Sequence, residues 1–247
     1  MWDDAKRLDA FTGVLAALTL VFVVWAGASW LVRQPAFAIR EVVFRGAMAR
    51  VNPAHLEAVV RSEWMGTFFT MNLDRSRAAL SEVPWVKSVA LRRQWPQRLE
   101  VTIDEHIPLA RWNDSALIDT TGSVFVADYN GELPQFTGPD GRAAELAERY
   151  REWGIALLPL GLTVQEVRLS PRTAWQLIAT GPGGPLTIEM GRDDPGPRLA
   201  RFIGAYERTI AVLARGGTRI DHVDLRYRNG FAARVPGFRE KPARKAT

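Results

Sequence analysis

The chain has 247 residues, of which 47% are hydrophobic and 24% charged, an ordinary balance for a protein that folds around a core. It contains no cysteine, which excludes disulfides, thiolate metal sites and cysteine nucleophiles. Its net charge of +5 is concentrated near the end, where residues 239–247 carry a net +3. This pattern predicts a solvated basic tail over 238–247, and nucleic acid is not expected as a partner.

A long apolar segment follows a short polar start, residues 1–9. Residues 10–32 carry no charged side chain, and as a helix they would span roughly 30 Å or slightly more, the thickness of a hydrocarbon core. The alternative is a cleavable signal peptide with Ala26-Gly27-Ala28 as its cleavage site. The segment exceeds the roughly 7–15 apolar residues of such peptides, so we expect an uncleaved transmembrane helix.

The charges beside this segment leave its orientation open. The basic residues before it are Lys6 and Arg7, and those after it are Arg33, Arg40, Arg45 and Arg50. The positive-inside count therefore favours a cytoplasmic body, the opposite of the topology implied by the resemblance below.

Segment 37–106 has the order β-α-α-β-β. A strand lies within Phe37–Gly46, Asn52-Pro53 begins a helix, and a second helix runs from about Leu73 to Glu82. The residues expected to face inward from these elements are Val42, Phe44, Leu56, Val59, Val60, Trp64 and Leu80. After Pro84 a hairpin follows, with Trp85, Val89 and Leu91 on one strand face, a turn at 95–98, and Leu99, Val101 and Ile103 alternating with polar residues.

Segment 107–237 is predicted to be rich in short strands, with two helices. A hairpin turns at Asp119–Gly122, and a helix carries Leu146, Tyr150 and Trp153. Strands are expected at 164–169, 174–179 and 186–190, the last two joined by a glycine loop that reads as a plain hairpin rather than a phosphate cradle. A second helix carries an apolar stripe of Leu199, Phe202, Ile203, Tyr206, Ile210 and Leu213.

Catalytic motifs are not evident in the sequence. His55, His106 and His222 are far apart and lack metal-ligand spacing, and the adjacent carboxylates of Asp104/Glu105 and Asp193/Asp194 are poorly placed for joint acid–base work. We therefore expect no enzyme activity, no cofactor and no bound metal.

The last strand region offers a different kind of site. Val223, Leu225 and Tyr227 alternate with Asp224, Arg226 and Arg228, and Asn229-Gly230 predicts a two-residue turn into a short edge strand, Phe231–Val235. An edge strand can be completed by a segment of another protein. The alternative is that these residues only fill the sheet; Arg226, Arg228 and Phe231 are the least easily explained that way.

Several motifs occur in the order found in a known family. They are RRQWPQRLEV (Arg92–Val101), EHIPLARWND (Glu105–Asp114), RTAWQL (Arg172–Leu177), RLARFI (Arg198–Ile203) and VDLRYRNG (Val223–Gly230). Together with the apolar helix and the β-α-α-β-β order, they resemble the FtsQ family of bacterial cell-division proteins over nearly the whole chain.

The resemblance implies an α+β protein with a transmembrane helix at 10–32, a POTRA domain at 37–106 and a β-domain at 107–237. It implies a non-enzymatic divisome scaffold in the inner membrane at the septum, with a cytoplasmic N-terminus and a periplasmic body. The implied partners are the FtsB and FtsL complex and other divisome proteins such as FtsK, FtsW and FtsI. The implied partner-binding residues are Arg226, Tyr227, Asn229, Gly230, Phe231 and Val235.

This chain departs from the family in two places. Val235 stands where relatives have an aromatic residue, which shifts part of the anchoring to Phe231, and the N-terminal segment is short. The alternatives are a POTRA-bearing envelope chaperone or translocation factor, which would bind many unfolded strands, and an anchored periplasmic hydrolase.

Overall fold

The computed structural model describes residues 5–46, 48–63 and 66–236. The chain divides into two compact units between Glu105 and His106. Two predictions, the inward-facing Trp64 and the basic tail at 238–247, lie outside the described residues.

The first element is a long apolar helix, α1 (Ala5–Val32). Within it, Asp9–Val32 is long and apolar enough to cross a membrane, with a mean hydropathy of 2.1 and none of its most apolar window buried against protein. It alone passes this test in the described part of the chain. The helix begins before the predicted start at residue 10, so part of the polar start is helical as well.

The first unit contains β1 (Glu41–Arg45), α2 (Pro53–Glu63), α3 (Leu73–Ser81), β2 (Val86–Gln94) and β3 (Arg98–Glu105). The sheet order is β1-β3-β2, with β1 parallel and β2 antiparallel to β3. Asn52 Oδ1 accepts the Ala54 N–H at the start of α2, and Asn72 Oδ1 accepts the Asp74 and Arg75 N–H groups at the start of α3. Both helices thus begin at side chains that satisfy otherwise unpaired donors.

The core of this unit follows the period-two pattern of β3, whose Leu99, Val101 and Ile103 are buried. One prediction for β2 is wrong. Val89 and Leu91 alternate on β2 as predicted, but Trp85 precedes the strand with a φ of 73°, and a bulge between Val86 and Ser88 shifts the alternation so that Val86 is buried together with Trp85 and Val89.

The second unit forms a sheet of nine strands. They are β4 (Pro108–Trp112), β5 (Ala116–Asp119), β6 (Val124–Phe125), β7 (Gln135–Thr137), β8 (Thr163–Leu169), β9 (Trp175–Gly181), β10 (Gly184–Gly191), β11 (His222–Asp224) and β12 (Ala232–Arg234). Their spatial order is β12-β11-β10-β9-β8-β7-β4-β5-β6. The strand that ends the described chain is therefore one edge of the sheet.

Three helices accompany this sheet: α4 (Ala143–Leu157), α5 (Pro195–Tyr206) and α6 (Ile210–Arg215). Buried residues of α4 and α5, including Trp153 and Phe202, form one core with Val167, Leu177 and Ile188 of the strands. The Trp153 and Trp175 rings meet edge to face with centroids 5.2 Å apart. This packing covers one face of the sheet as far as β11, the strand next to the β12 edge.

Two predictions for the second unit are wrong. The apolar stripe from Leu199 to Leu213 is not one helix, because the chain turns at 207–209 between α5 and α6. Nor does Asn229-Gly230 form a two-residue hairpin turn: β11 ends at Asp224, before Tyr227, and the connection to β12 is the loop 225–231.

Candidate partner-binding edge

Hydrogen bonds between β10 and β11 show which way the backbone groups of β11 point. The Thr187 N–H donates to the Asp221 carbonyl at 2.9 Å, and the Leu225 N–H donates to the Glu189 carbonyl at 2.8 Å. Because backbone groups alternate in direction along a strand, Asp221, Val223 and Leu225 face β10, whereas His222 and Asp224 face β12. β10 and β11 therefore pair in parallel through alternate residues of β11.

The same alternation determines which groups of β12 are left for a partner. His222 pairs with Arg234, Asp224 with Ala232, and Val223 with Ala233. His222 and Asp224 direct their backbone groups at β12 and therefore form hydrogen bonds with the backbone of Arg234 and Ala232. The N–H and C=O of Ala233, which lies between those two residues, point away from the sheet. No strand of the described residues pairs with this outer side. Ala233 thus presents one donor and one acceptor at an open edge.

The loop 225–231 begins at a local ion pair. Asp224 Oδ1 accepts the Arg226 N–H at 3.0 Å, and the Arg226 guanidinium contacts both carboxylate oxygens at 2.8 and 2.7 Å. The side-chain hydrogen bonds from Arg226 lower the pKa of the Asp224 carboxyl, and Asp224 raises the pKa of the Arg226 guanidinium. β11 thus ends in a turn in which the Asp224 carboxylate accepts the backbone N–H of the residue two positions later.

A second arginine holds the other end of the strand pair. Arg234 donates from Nε and Nη2 to the two oxygens of Asp221, both at 3.0 Å. These hydrogen bonds lower the pKa of Asp221, and Asp221 raises the pKa of the Arg234 guanidinium. The two arginines are exposed but their charge is balanced by the protein's own carboxylates.

The aromatic and apolar side chains of the edge divide into packed and exposed ones. Phe231 is half-buried, with its ring edge to face against Phe202 of α5 at 5.5 Å, and Val235 also packs on the core. Tyr227 is 58% exposed. Tyr227 is therefore free to contact another protein, whereas Phe231 also supports the domain itself.

The six residues predicted to bind a partner lie on either side of β12 and not within it: Val235 follows the strand, and the other five lie in the loop 225–231. Asn229 and Gly230 are exposed in the loop, and Arg201 of α5 donates from Nη1 to the Arg228 carbonyl beside them. Sequence reasoning did not identify Phe202, Asp221 or Arg201 as supports, although the helical stripe containing Phe202 was visible.

One of the three histidines, His106, pairs with a buried carboxylate, that of Asp119. His106 Nδ1 lies 2.9 Å from Asp119 Oδ2, and the His106 ring stacks on Phe125 with centroids 4.1 Å apart. The other Asp119 oxygen accepts hydrogen bonds from Thr121 and Ser123 within the β5–β6 turn. Across 5–46, 48–63 and 66–236, no three His, Cys, Asp or Glu side chains are grouped as metal ligands.

A cleft with a volume of about 870 Å³ lies elsewhere on the second unit. It is lined by polar residues that include Arg111, Asn113, Glu166 and Arg168. It contains none of the residues predicted to bind a partner.

These features define a class: a protein with one apolar helix, a β-α-α-β-β domain, and a β-rich domain that ends in an open edge strand. Two family models match it. Residues 37–106 match the POTRA domain, FtsQ-type, and residues 110–226 match the model of cell division protein FtsQ/DivIB, C-terminal. The second match ends at Arg226, before β12.

Whole-chain relatives agree with both matches. The chain is 38% identical to a cell division protein FtsQ of Burkholderia pseudomallei, covering 97% of this chain and 96% of that protein. It is 33% identical to the Nitrosospira multiformis protein of the same name, covering 95% and 99%. It is 30% identical to that of Escherichia coli, covering 99% and 89%. The chain belongs to the FtsQ/DivIB family of cell-division proteins, and the predicted α+β fold with a POTRA domain and a β-rich domain is confirmed.

Proposed function

We propose that this protein is a non-enzymatic scaffold of the division machinery that binds the FtsB and FtsL complex through β12. In this proposal, residues 10–32 anchor the chain in the inner membrane, 37–106 contribute septal localisation, and 107–237 bind the partner. Further contacts would be made with FtsK, FtsW and FtsI. Family membership supports the division role, and the open backbone edge at Ala233 supports the mode of binding.

The partner segment would add as a further strand beyond β12. It would pair with the N–H and C=O of Ala233, and alternate side chains of the added strand would lie beside Phe231 and Val235. Tyr227, exposed in the preceding loop, would close over that strand as an anchor, since exposed aromatic residues often dominate such interfaces. Arg226, Asn229 and Gly230 would shape the loop that presents it.

A proline substitution tests the backbone part of this proposal. Ala233→Pro fixes φ and removes the outward N–H but no donor that pairs with β11, so β11–β12 pairing should persist while capture of FtsB/FtsL falls at least tenfold, about 1.4 kcal/mol. Ala233→Val is the matched control, because it adds bulk but keeps the donor. The measurement is co-purification of FtsB/FtsL with the full-length protein, together with hydrogen exchange across 222–234.

Tyr227→Asp gives a second variant for the same assay. It should also abolish capture while leaving the fold intact, because Tyr227 is exposed. Phe231→Asp is less informative, since it would also disturb packing on Phe202. Unchanged capture by Ala233→Pro and Tyr227→Asp would rule out this edge as the binding site.

A POTRA-bearing chaperone or translocation factor is the second candidate. In the three-stranded sheet of the first unit, β1 and β2 are edge strands, so this unit also has places where extended segments could pair. Such a factor would capture many unrelated unfolded chains. Selective recovery of division proteins in a crosslinked pull-down, with photoreactive residues along 226–235, would favour the scaffold.

A further inference from the structure

Four aromatic rings of the first unit lie close together near the end of α1. Phe37 and Phe69 pack edge to face at 5.2 Å, Phe68 and Phe69 at 5.3 Å, and Trp95 lies 6.4 Å from Phe68. We call Phe37, Phe68, Phe69 and Trp95 the aromatic cluster. Trp95 is 74% exposed and Phe69 is 53% exposed. Two large apolar rings of one cluster are thus exposed. This differs from the single, scattered apolar residues found on most protein surfaces.

Hydrogen bonds tie this cluster to the chain that leaves α1. Thr67 Oγ1 donates to the carbonyl of Val32, the last residue of α1, at 2.6 Å, and the Phe68 N–H donates to the Phe37 carbonyl at 2.7 Å. The cluster is therefore connected directly to the last turn of the helix.

The turn that carries Trp95 is held to the same segment. Gln97 donates from Nε2 to the Ala36 carbonyl, and the Arg40 N–H donates to the Gln97 carbonyl at 2.9 Å. Ala36 is four residues beyond the end of α1, a reach of at most about 14 Å. Since the polar zone on each side of a bilayer is roughly 5–8 Å deep, the turn lies within reach of it if α1 spans the membrane.

We propose that the exposed face of the aromatic cluster rests in the lipid headgroup zone at the membrane face where α1 ends. Tryptophan and other amphipathic rings favour that zone, and Trp30, near the end of α1, is also 67% exposed. Exposed Arg33 and Arg40 flank the cluster in sequence and suit lipid phosphates. The occupant is thus the bilayer surface, continuous with the membrane contact of α1.

The consequence is a second attachment between the POTRA domain and the membrane. A single helix leaves the domain free to swing, whereas contact through Phe69 and Trp95 fixes one face of the domain to the lipid. The inference rests on the proposed membrane anchoring, so the experiment must separate the two.

Spin labelling of the full-length protein in vesicles of phosphatidylethanolamine and phosphatidylglycerol tests this placement. The chain has no cysteine, so Phe69→Cys places one label in the cluster, and Trp95→Cys places it independently at the turn. Leu20→Cys in α1 marks the hydrocarbon core, and Ala78→Cys on the exposed side of α3 marks water. Accessibility to oxygen relative to a water-soluble nickel reagent reports the depth of each label.

We expect the labels at 69 and 95 to lie at headgroup depth, between those at 20 and 78. Adding Trp95→Ser to Phe69→Cys should move the label at 69 toward water. A deep label at 20 with labels at 69 and 95 as exposed as that at 78 would overturn the inference while leaving the anchor intact. A label at 20 in water would overturn both.

Discussion

At the residue scale, Asp119 shows how a single carboxylate organises a turn. Burial raises its pKa, but hydrogen bonds from Thr121, His106 and Ser123 outweigh that effect and hold the pKa of this carboxyl well below its ordinary value of 3.8. The turn at Asp119–Gly122 was predictable from its residue types. The partnership with His106 was not, because it joins the residue that ends β5 to the connection between β3 and β4, 13 residues earlier in the chain.

The pH dependence of unfolding tests this network. Because the pKa of Asp119 is lower in the folded state, its contribution is fully present above 3.8 and is lost as the pH falls below that value. Asp119→Ala should remove about 2–3 kcal/mol at neutral pH and flatten the acid dependence. Urea unfolding of the full chain in detergent, followed by hydrogen exchange in 106–125, measures both effects.

Asp114→Ala is the control for this variant, since that carboxyl is exposed in the neighbouring turn of the same sheet. Its stability should stay close to that of the parent protein. Equal losses in the two variants would contradict a specific role of Asp119.

At the element scale, long periodic segments were predictable, whereas some short strands without a clear turn signal beside them were not. The alternation in β3 and the helical spacing in α4 were readable because each spans several turns or pleats. β4 and β7 have few residues each and are set by their neighbours in the sheet. The break between α5 and α6 lies at 207–209, where the Arg208 and Thr209 N–H groups donate to carbonyls three residues back, those of Ala205 and Tyr206, instead of four.

The candidate site shows the same division. A final edge strand was predicted at 231–235 and the structure has one at β12, although the Asn229-Gly230 turn from which it was predicted does not form. The outward direction of Ala233 did not follow, because it depends on the parallel pairing of β11 with β10. The support of Phe231 by Phe202 likewise depends on where α5 crosses the sheet.

Gly46 provides a test of how closely the end of β1 packs against β3. It has a φ of +117°, and a Cβ there would lie 2.1 Å from the Ile103 carbonyl oxygen of β3. Gly46→Ala should therefore destabilise the first unit by more than the roughly 1–3 kcal/mol of backbone strain alone. Hydrogen exchange of β1 and β3 in the full-length protein reports the loss.

The matched control is Gly141→Ala, at a φ of +80° with no heavy atom within 4 Å of the added Cβ. It should cost only the backbone strain, about 1 kcal/mol. A smaller effect at Gly46 than at Gly141 would contradict the close packing of β1 on β3.

At the scale of the whole molecule, the charged residues beside α1 do not settle on which side of the membrane the body lies. The basic residues after α1 favour a cytoplasmic body by count, whereas the proposed function needs a periplasmic one. Binding to FtsB/FtsL through β12 as proposed requires the POTRA domain and β-domain to lie on the periplasmic side.

Labelling in cells distinguishes the two orientations. Ala78→Cys should react with a membrane-impermeant maleimide once the outer membrane is permeabilised, without lysis of the inner membrane. A cysteine at Asp3 should react only after lysis. The reverse pattern would place the body in the cytoplasm and exclude the proposed partner contact.

The two arginine–aspartate pairs beside β12 have a consequence for how a partner is chosen. With Arg226 and Arg234 already neutralised by Asp224 and Asp221, these two side chains add little long-range attraction to an acidic chain. Their contribution to recognition is made at short range and should change little with the ionic strength of the surrounding solution.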